Sequence, residues 1–579
     1  MGFAWRNFFS AALTGILLCH VCSSAQKVPK FDFMRNAAEA PAVSHYDYII
    51  VGGGTAGCPL AATLSENHKV LLLERGGSPY GNSNITNLSA FGAALADLSE
   101  SSPSQRFVSE DGVINARARV LGGGSCLNAG FYSRASLDYV REAGWDAKLV
   151  NESYEWVERV VAFEPRMGKW QSAVRGGLVD VGVVPDNGFT YDHLYGTKVG
   201  GTIFDRHGHR HTAADLLTYA NPPNLTLFLY ATAHTILFQT KGRKRPRAHG
   251  VVFEDSKGIK HRAYLRNGPE SEVIISAGCL GSPQLLMLSG LGPAQHLKAH
   301  NITVLLDQPM VGQRVSDNPM NAVFVPSPVP VEVSLIEVVG ITHNGTYIEA
   351  ASGESFAGGP SSRDFGMFSP KIGQLSTVPP KQRTPEAIAE AWELMNKLDE
   401  AAFRGGFILE KIMGPLSSGH LELRTRDPND NPSVTFNYFK DPTDLHRCVA
   451  GINIIRRIIE SKSFAKFRYQ NVSMATLLNM TASAPINLLP KHDNLSRSTE
   501  QYCRDTVMTI WHYHGGCQTG SVVDSDYRVL GVDSLRVVDG STFHDSPGTN
   551  PQATVMMLGR YMGVRILRER FERSTEKIK

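Results

Sequence analysis

Residues 46–76 constrain the fold more than any other stretch of the chain. The stretch opens with a short β-branched and aromatic run that leads directly into a glycine turn, and a helix-like segment follows the turn. Gly52, Gly54 and Gly57 fit the pattern G-x-G-x-x-G. In such a unit the first glycine allows a tight turn, the second lets a pyrophosphate approach the backbone, and the third lets the helix pack closely on the strand. The stretch therefore predicts a nucleotide-binding unit.

The second strand of this unit ends in a carboxylate. An apolar run over residues 70–73 is followed by Glu74, about 20 residues beyond Gly54, which is the offset at which an acidic side chain meets a ribose hydroxyl. Glu74 favours an adenosine ribose without a 2′-phosphate, and the helix after the turn directs its free N–H groups toward the phosphates. The motif predicts a dinucleotide but does not by itself choose between FAD and NAD.

The bulk composition is that of a globular protein with several domain-sized units. A length of 579 residues is too great for one small core and suggests roughly three to four such units. The 58 basic and 55 acidic residues nearly balance, with a formal net charge of +3. A balanced charge gives no support for a nucleic-acid partner or for binding to an anionic membrane.

The first 25 residues are typical of a secretory signal peptide. Arg6 precedes an apolar stretch over residues 8–22, and small residues, Ser23 and Ala25, stand at the two positions that a signal peptidase reads. We expect cleavage after Ala25 and release to the cell exterior. The apolar stretch is short for a membrane span and no stop-transfer segment follows, so a retained membrane anchor is the less favoured alternative.

Cysteines and sequons agree with an oxidising compartment. We expect Cys448 and Cys503 to form a disulfide, because both lie outside the glycine motifs. The alternative is that all six cysteines of the mature chain are buried thiols. Cys19 and Cys22 would leave with the signal peptide, and the mature chain has no C-x-x-C pair with the spacing of zinc ligands, so we predict no metal site. We predict glycosylation at the N-x-S/T sequons, which begin at Asn84, Asn87, Asn151, Asn224, Asn301, Asn344, Asn471, Asn479 and Asn494.

The order of the remaining segments predicts an α/β protein, α+β overall, with two domains. A Rossmann-like, doubly wound cofactor domain is joined to a substrate domain built on a mostly antiparallel sheet with covering helices, because alternating apolar and polar residues follow residue 323. We expect a linker at residues 26–44, the cofactor domain at residues 45–299 with excursions into the substrate domain near residues 140–200, the substrate domain at residues 300–498, and a return to the cofactor domain at residues 499–579.

The C-terminal part of the chain holds two motifs with candidate catalytic groups. Residues 510–517 contain His512 and His514 within an aromatic and glycine-rich run. Asn550 and Pro551 stand directly before a helical segment, and Pro551 suits a first helical turn while Asn550 suits its cap. The N-terminus of a helix placed in this way can stabilise an anion.

A second glycine-rich loop completes the pattern. Three consecutive glycines within residues 118–132 let the backbone press against a flat ligand without obstruction by a Cβ atom. This loop is similar to the first signature of the glucose–methanol–choline (GMC) family of flavin oxidoreductases, and residues 278–292 are similar to the second, with Cys279 where Ala, Thr or Ser is usual. The resemblance covers essentially the whole mature chain. Within the family the chain resembles the plant HOTHEAD and mandelonitrile lyase branch, through residues 106–112, 511–517 and 559–563.

The resemblance implies FAD as the cofactor, an FAD-binding role for the cofactor domain, a small-molecule alcohol as the substrate, and His512 and Asn550 as the catalytic pair. It places the adenine ribose at Glu74, the pyrophosphate along residues 52–57 and the isoalloxazine near Asn128. The cofactor-binding residues that it implies are Gly52, Gly54, Thr55, Ala56, Gly57, Glu74, Arg75, Val120, Gly124, Asn128, Ala129, Gly130, Ala233, Trp511, His512, Asp539, Gly540, Pro551 and Gln552.

The implied chemistry fits these residue types. A neutral imidazole near pH 7 can accept a hydroxyl proton, and flavin N5 accepts the hydride from the same alcohol. Asn550 would hold the substrate oxygen and steady the developing alkoxide charge. Of the two histidines, His512 is the predicted base and His514 the structural residue, because buried histidines are more often satisfied than reactive.

Three functions remain open. The resemblance to HOTHEAD implies a monomeric alcohol oxidoreductase of the plant cell wall that acts on long-chain ω-hydroxy fatty acids in cuticle formation and epidermal organ separation, with an electron acceptor that the sequence does not indicate. The alternatives are a hydroxynitrile lyase with non-redox FAD and a non-catalytic flavoprotein at the cell surface. Mandelonitrile lyases carry histidine and tyrosine where this chain has Asn550 and Ile510, and an amide cannot exchange protons as cyanohydrin cleavage requires. Oxidation is therefore favoured, and the presence of both His512 and Asn550 disfavours a non-catalytic role.

Overall fold

The two largest sheets, one parallel and one mostly antiparallel, frame the chain. In this computed structural model the predicted cleavage site after Ala25 and the sequon at Asn494 lie outside the described residues. The described residues are 29, 31–266, 268, 270–353, 375, 378, 382–396, 405–483, 487–489 and 498–576.

The strands of the described residues are β1 (Met34–Asn36), β2 (Val43–Tyr46), β3 (Tyr48–Val51), β4 (Val70–Glu74), β5 (Ser104–Val108), β6 (Ile114–Ala118), β7 (Phe131–Tyr132), β8 (Asp186–Phe189), β9 (Gly196–Val199), β10 (Gly201–Thr202), β11 (Leu225–Leu229), β12 (Thr232–Gln239), β13 (Arg247–Glu254), β14 (Lys260–Leu265), β15 (Glu272–Ile275), β16 (Leu291–Gly292), β17 (Leu306–Asp307), β18 (Gln313–Val315), β19 (Pro319–Pro326), β20 (Val338–Ile341), β21 (Thr346–Ser352), β22 (Gly405–Ile412), β23 (Gly419–Glu422), β24 (Ser433–Thr435), β25 (Met508–Thr509) and β26 (Leu535–Val537).

The helices are spread over the same residues, and none of those described combines the length and apolarity that a bilayer crossing would need. They are α1 (Gly57–Leu64), α2 (Ser83–Thr86), α3 (Ala93–Ala96), α4 (Leu137–Glu142), α5 (Ala147–Val161), α6 (Lys169–Asp180), α7 (Gly278–Leu288), α8 (Ala294–Ala299), α9 (Pro385–Asn396), α10 (Pro442–Glu460), α11 (Met474–Ser483), α12 (Thr499–Asp505) and α13 (Gln552–Glu576).

The parallel sheet has six strands in the order β1-β11-β4-β3-β15-β26, and every neighbouring pair is parallel. Its central strands are buried along their whole length, which explains their continuous apolar sequence. The predicted strand–turn–helix unit is present as β3, the glycine turn and α1. Gly52 has a φ of +106°, and a Cβ atom at Gly57 would lie 1.9 Å from the Gly52 carbonyl oxygen. The backbone therefore requires glycine at both positions, and the predicted Rossmann-like α/β fold is confirmed.

The second large sheet has seven strands in the order β25-β19-β22-β21-β20-β9-β8 and is antiparallel except for the pair of β8 and β9. Alternate residues of its strands pack under helices that include α6, α10 and α11, and the others face a cavity. This is the predicted antiparallel sheet with covering helices. Its outer strands come from residues 186–199 and 508–509, so the sheet draws residues from both sides of the predicted range 300–498.

The predicted linker at residues 26–44 is wrong in its described part. β1 extends the parallel sheet beside β11, with Met34 opposite Leu227. β2 begins at Val43 and pairs in parallel with β14. The polar composition of this segment suggested a linker, but pairing at a sheet edge uses backbone N–H and C=O groups and does not need an apolar sequence.

A disulfide joins α10 to α12 through Cys448 and Cys503, as predicted. Both residues are fully buried on the helical side of the antiparallel sheet. The remaining cysteines of the described residues are buried thiols, at Cys58, Cys126, Cys279 and Cys517.

We expect the double substitution of Cys448→Ser and Cys503→Ser to lower the free energy of unfolding by about 2–4 kcal/mol. The bond spans 55 residues, and the unfolded chain regains the entropy of that loop when the bond is absent. Urea denaturation followed by circular dichroism measures the change. Wild-type protein unfolded with a thiol reductant should match the variant, and a curve that neither treatment moves would contradict the prediction.

Candidate active site

A cavity of about 1030 Å³ extends from the carboxyl ends of the parallel strands to the inner face of the antiparallel sheet. Every predicted cofactor-binding residue except Gly57 lines this cavity, and so does Asn550. Gly57 lies instead in the first turn of α1, packed against Gly52. The structure thus gathers residues from both ends of the chain around one space.

Glu74 lies at the end of the cavity where β4 ends. Its Oε2 atom accepts a hydrogen bond from the Gly53 amide at 3.0 Å, and its Oε1 atom accepts one from the Gly76 amide at 2.7 Å. Burial raises the pKa of Glu74, while the Gly76 amide and the charge of Arg75 oppose the increase. Each carboxylate oxygen retains a second lone pair, so Glu74 can still accept a ribose hydroxyl. Ala233 also lines this part of the cavity.

Two glycines leave open space on the cavity wall. A Cβ atom built at Gly54 would have no neighbour closer than 3.8 Å outside its own chain segment, and one built at Gly124 would have none within 4 Å. Because both residues line the cavity, this space is available to a ligand. Gly123 differs, since its Cβ atom would lie 2.8 Å from the Cα atom of Gly54. The two loops therefore meet through glycine and leave a groove that fits the backbone of a dinucleotide.

Arg117 places a buried cation on the same wall. Its guanidinium donates to the Oε1 atoms of Gln105 at 3.1 Å and Gln284 at 2.9 Å, and to the carbonyl oxygen of Asp430 at 3.1 Å. These acceptors are uncharged, and burial lowers the pKa of Arg117 well below its usual range. A buried cation with neutral acceptors is stabilised by an anionic ligand, and a pyrophosphate is one. Arg117 was not among the predicted residues, although it directly precedes the second glycine-rich loop.

Gln552 ties the second glycine-rich loop to the N-terminus of α13. Its side-chain amide donates to the Phe131 carbonyl oxygen at 2.6 Å and accepts from Asn128 Nδ2 at 2.9 Å. Asn128 Oδ1 in turn accepts from the Gly130 amide at 3.0 Å. Pro551 and Gln552 both line the cavity, so the positive end of the α13 dipole lies at its wall. The residues predicted to surround an isoalloxazine are thereby held together.

Asp539 fixes the opposite part of the wall rather than leaving its carboxylate free. It accepts hydrogen bonds from the Gly278 amide at 2.9 Å, the Ser541 amide at 2.8 Å and the Ser282 hydroxyl at 2.5 Å.

Among the described residues, no group of three or more His, Cys, Asp or Glu side chains is arranged so that it could hold a metal ion.

His512 lines the cavity as a neutral imidazole. Burial lowers its pKa well below the usual 6.5, and the charges of Lys411 and His514 lower it further. Tyr347 donates its hydroxyl proton to the Thr549 carbonyl oxygen at 2.8 Å, so its contact of 3.4 Å with His512 Nδ1 must be a hydrogen bond donated by the imidazole. Nε2 therefore carries the free lone pair. No local sequence pattern marks Tyr347, because its contact with His512 arises only when the strands pack.

Buried Asp317 holds the backbone that carries His512. Its Oδ1 atom accepts from the His512 amide at 3.0 Å, and its Oδ2 atom accepts from Tyr438 at 2.5 Å and from Thr509 at 2.6 Å. Burial raises the pKa of Asp317 to about 6 even though these hydrogen bonds oppose the increase. Trp511 has a φ of +60°, which is unfavourable for an aromatic residue. The surroundings therefore impose the conformation of this segment.

Asn550 does not cap the helix that follows it, contrary to the prediction. α13 begins at Gln552, and the Asn550 Oδ1 atom is buried without a hydrogen-bond partner among the described residues. The side chain lies beside Glu349 instead, where it opposes the increase that burial causes in the pKa of that carboxyl. Because Asn550 lines the cavity, its unused oxygen is available to a ligand.

His514 makes contacts that support a structural role. Its Nδ1–H donates to the His512 carbonyl oxygen at 3.0 Å. Its backbone exchanges two hydrogen bonds with Ser316, at 2.8 and 3.0 Å. These bonds attach the segment that carries His512 to the end of β18.

Beyond His512 and Asn550 the cavity becomes an apolar chamber under the antiparallel sheet. Its apolar side chains belong mainly to β19, β22 and the segment around β25. They are Phe131, Met320, Ala322, Phe324, Leu335, Ile336, Phe407, Leu409, Met508 and Ile510. The chamber suits an apolar substrate whose polar end reaches His512.

Comparisons with known proteins agree with this arrangement. Two family models, both described as GMC oxidoreductase, match residues 46–320 and 415–559. The Protein HOTHEAD of Arabidopsis thaliana is 57% identical over 533 residues, which cover 91% of this chain and 89% of that protein. The (R)-mandelonitrile lyase-like protein of Arabidopsis thaliana is 46% identical over 574 residues, which cover 96% of this chain and 98% of that protein.

A solved structure shares the fold at low sequence identity. Formate oxidase of Aspergillus oryzae RIB40, in a structure concerned with FAD modification, superposes with a TM-score of 0.71. The match has 20% identity and covers 92% of this chain and 100% of that chain.

We expect Gly54→Val to weaken flavin retention by at least about tenfold, because the new side chain occupies the groove where a dinucleotide backbone would lie. The Cβ atom itself meets only ordinary contacts, so folding should persist. The ratio of flavin to protein absorbance after gel filtration measures retention. Gly268→Val, at a glycine outside the cavity with similar space, should keep wild-type flavin content. Equal flavin content in both variants would remove Gly54 from the cofactor site.

Proposed function

The chain belongs to the GMC oxidoreductase family, and on that basis we propose that it oxidises a primary alcohol at the end of a long apolar chain to the aldehyde, with ω-hydroxy fatty acids as the substrate class. It is an FAD-dependent oxidoreductase. The observation that carries the proposal is the position of His512 and Asn550 at the inner end of an apolar chamber.

FAD, when bound, supplies the ring that takes up the hydride from the alcohol carbon. The residues that would hold it are those of the glycine groove, Glu74, Arg117 and the start of α13. Gly54 and Gly124 leave room for the dinucleotide backbone, and Arg117 offers a buried positive charge to its phosphates. The N-terminus of α13 favours negative charge beside it.

His512 accepts the hydroxyl proton at Nε2. Tyr347 holds the proton of Nδ1, which keeps the lone pair of Nε2 for the substrate. Because burial and the charge of Lys411 keep the imidazole neutral, the base is ready over the whole neutral pH range. Asp317 fixes the backbone of the same segment, so the imidazole keeps its orientation while the proton moves.

Asn550 orients the alcohol oxygen. Its side chain has hydrogen-bond capacity that no described residue uses, and it lies on the same cavity as His512. The hydroxyl group would donate to the His512 imidazole and accept from the side-chain nitrogen of Asn550, and these two contacts would direct the carbon–hydrogen bond.

The apolar chamber supports a long-chain substrate. Each buried methylene contributes about 0.8 kcal/mol, so a chain of several methylenes supplies most of its binding energy without polar contacts. The similarity to the Protein HOTHEAD of Arabidopsis thaliana supports the same choice and, with it, a role in the plant cuticle and in epidermal organ separation.

Two rival functions are less well supported. A hydroxynitrile lyase would need proton exchange at the position of Asn550, and an amide does not titrate; Ile510 offers no hydroxyl either. A non-catalytic flavoprotein would not need the neutral imidazole, its tyrosine partner and a free amide on one cavity.

We also propose that the protein is secreted and N-glycosylated. The disulfide favours an oxidising compartment. Of the described sequon asparagines, Asn224 is half-buried and the others are exposed, which leaves them open to modification; the exposed ones are Asn84, Asn87, Asn151, Asn301, Asn344, Asn471 and Asn479.

We expect anaerobic mixing of the holoenzyme with an ω-hydroxy fatty acid to bleach the flavin, and mixing with mandelonitrile to release no cyanide. His512→Ala should retain FAD but slow bleaching by at least about 100-fold, because the proton acceptor is lost. Stopped-flow flavin absorbance and a cyanide assay measure the two outcomes.

His249→Ala is the matched control for this experiment, because His249 lies on β13, does not line the cavity, and hydrogen-bonds to the Leu237 carbonyl oxygen. It should bleach at the wild-type rate. Cyanide release without bleaching would overturn oxidation in favour of the lyase, and bleaching of His512→Ala at the wild-type rate would remove His512 from the mechanism.

When expressed in plant cells, the full chain should reach the culture medium with Gln26 at its N-terminus and should lose mass on enzymatic removal of N-glycans. A chain that lacks residues 1–25 should stay inside the cells without glycans, because nothing directs it to the secretory route. Mass spectrometry of both products tests the proposal, and retention of the full chain in unglycosylated form contradicts it.

A further inference from the structure

Four polar side chains interrupt the apolar face that the antiparallel sheet turns to the cavity. Tyr347 on β21 pairs with Lys411 on β22. Val339 on β20 pairs with Glu349 on one side and with Lys198 on the other. Residues that pair across neighbouring strands project to the same face. Lys198, Tyr347, Glu349 and Lys411 therefore lie together among apolar neighbours.

Lys411 and Glu349 form a buried ion pair. Their side chains are 3% and 0% exposed, which makes each charge costly unless the other is present. Lys198 is also fully buried and donates to the Ser133 hydroxyl at 2.9 Å and to the Thr190 carbonyl oxygen at 3.3 Å. Burial raises the pKa of Glu349, and the charges of Lys411 and Lys198 both oppose the increase. Burial also lowers the pKa of Lys198 to about 7, so Lys411 is the nearer and more constant positive charge beside this carboxylate.

The pair reaches both candidate catalytic residues. The Asn550 side chain lies close enough to Glu349 to oppose the increase that burial causes in the pKa of that carboxyl. Lys411 lines the cavity together with His512 and Asn550, and its charge lowers the pKa of His512. The ammonium group of a purely structural ion pair would not need to face the space that His512 and Asn550 line.

We propose that the Lys411–Glu349 pair is the electrostatic support of the active site. Glu349 is a positioning residue that holds the Asn550 amide. Lys411 keeps the His512 imidazole unprotonated before reaction and faces the alcohol oxygen as its proton passes to Nε2, so the negative charge left on that oxygen lies beside an ammonium group. This inference rests on the proposed function, since the oxygen is that of the alcohol.

Other titratable groups surround the pair, and three of them have hydrogen-bond partners of their own. Tyr347 donates to the Thr549 carbonyl oxygen, and Asp317 accepts from the His512 amide. His514 donates to the His512 carbonyl oxygen. Glu410 is fully buried but belongs to the opposite face of β22, where it packs against Gly451. Burial raises the pKa of Glu410 well above its usual range, which favours its uncharged form.

The test is the pH dependence of flavin reduction at saturating alcohol. In Lys411→Met the acid limb should move to higher pH by about one unit, because the cation that opposes protonation of His512 is gone. Glu349→Gln should lower the rate at saturation by at least about tenfold with a smaller change in KM, because Asn550 loses its fixed orientation. Glu410→Gln is the matched control and should leave rate and profile unchanged.

A second readout does not depend on turnover. In the flavin-loaded protein without substrate, the ring signal of His512 in labelled-histidine NMR, identified by its loss in His512→Gln, should titrate at higher pH in Lys411→Met than in the wild type. The double variant of Lys411→Met and Glu349→Gln removes both charges without leaving one unpaired, so it should retain flavin and show the same direction of shift.

The outcomes separate the two proposals. If no alcohol bleaches the wild-type flavin, the proposed function fails, while the NMR titration still tests the ion pair. If alcohol bleaches the flavin but the acid limb and the His512 titration stay at the wild-type pH in Lys411→Met, the inference about the pair is overturned. An equal loss of rate in Glu410→Gln and Glu349→Gln would also overturn it.

Discussion

The hydrogen bonds of Gln552 are the constraint on which the active-site geometry depends. This one amide binds Asn128 and the carbonyl oxygen of Phe131, and so joins the second glycine-rich loop to the start of α13. The residues that it connects are 424 and 421 positions away in the chain. Asn550 lies two residues before Gln552, so the same hydrogen bonds help to fix its position on the cavity wall. A fold in which two distant segments meet at one side chain gains its site only when both sheets are assembled.

Burial is the second organising effect, and it acts differently on each polar group. Burial lowers the pKa of His512 and of Arg117, and it raises the pKa of Glu349 while the charge of Lys411 opposes that increase. Each outcome follows from the balance between desolvation and a specific partner. The cavity wall therefore holds a neutral imidazole near an ion pair. The same groups exposed to water would keep their ordinary pKa values.

The sequence predicted features that depend on neighbouring residues. The glycine turn, the carboxylate at Glu74 and the buried parallel strands follow from local pattern, and the structure contains them. Resemblance added His512 and Asn550, which local pattern alone could not rank. Tyr347, Asp317 and Lys411 escaped prediction because they act through contacts between strands far apart in sequence, and such pairing leaves no periodic signal.

Errors in prediction have physical reasons as well. A polar segment was interpreted as a linker, although β1 needs only backbone groups to join the sheet edge. Asn550 was interpreted as a helix cap from its position, but α13 begins at Gln552 and the Asn550 side-chain oxygen has no partner among the described residues. In both cases local preference gave way to long-range packing.

The glycine groove and the apolar chamber are parts of one continuous space, and this has a consequence for the order of assembly. A bound dinucleotide forms one boundary of the chamber, so the polypeptide without it has no complete pocket for the alcohol. Occupancy of either compartment then alters affinity in the other by the same factor. The loaded protein is therefore the form with a complete pocket, and a newly folded chain gains selectivity for its substrate as it takes up the cofactor.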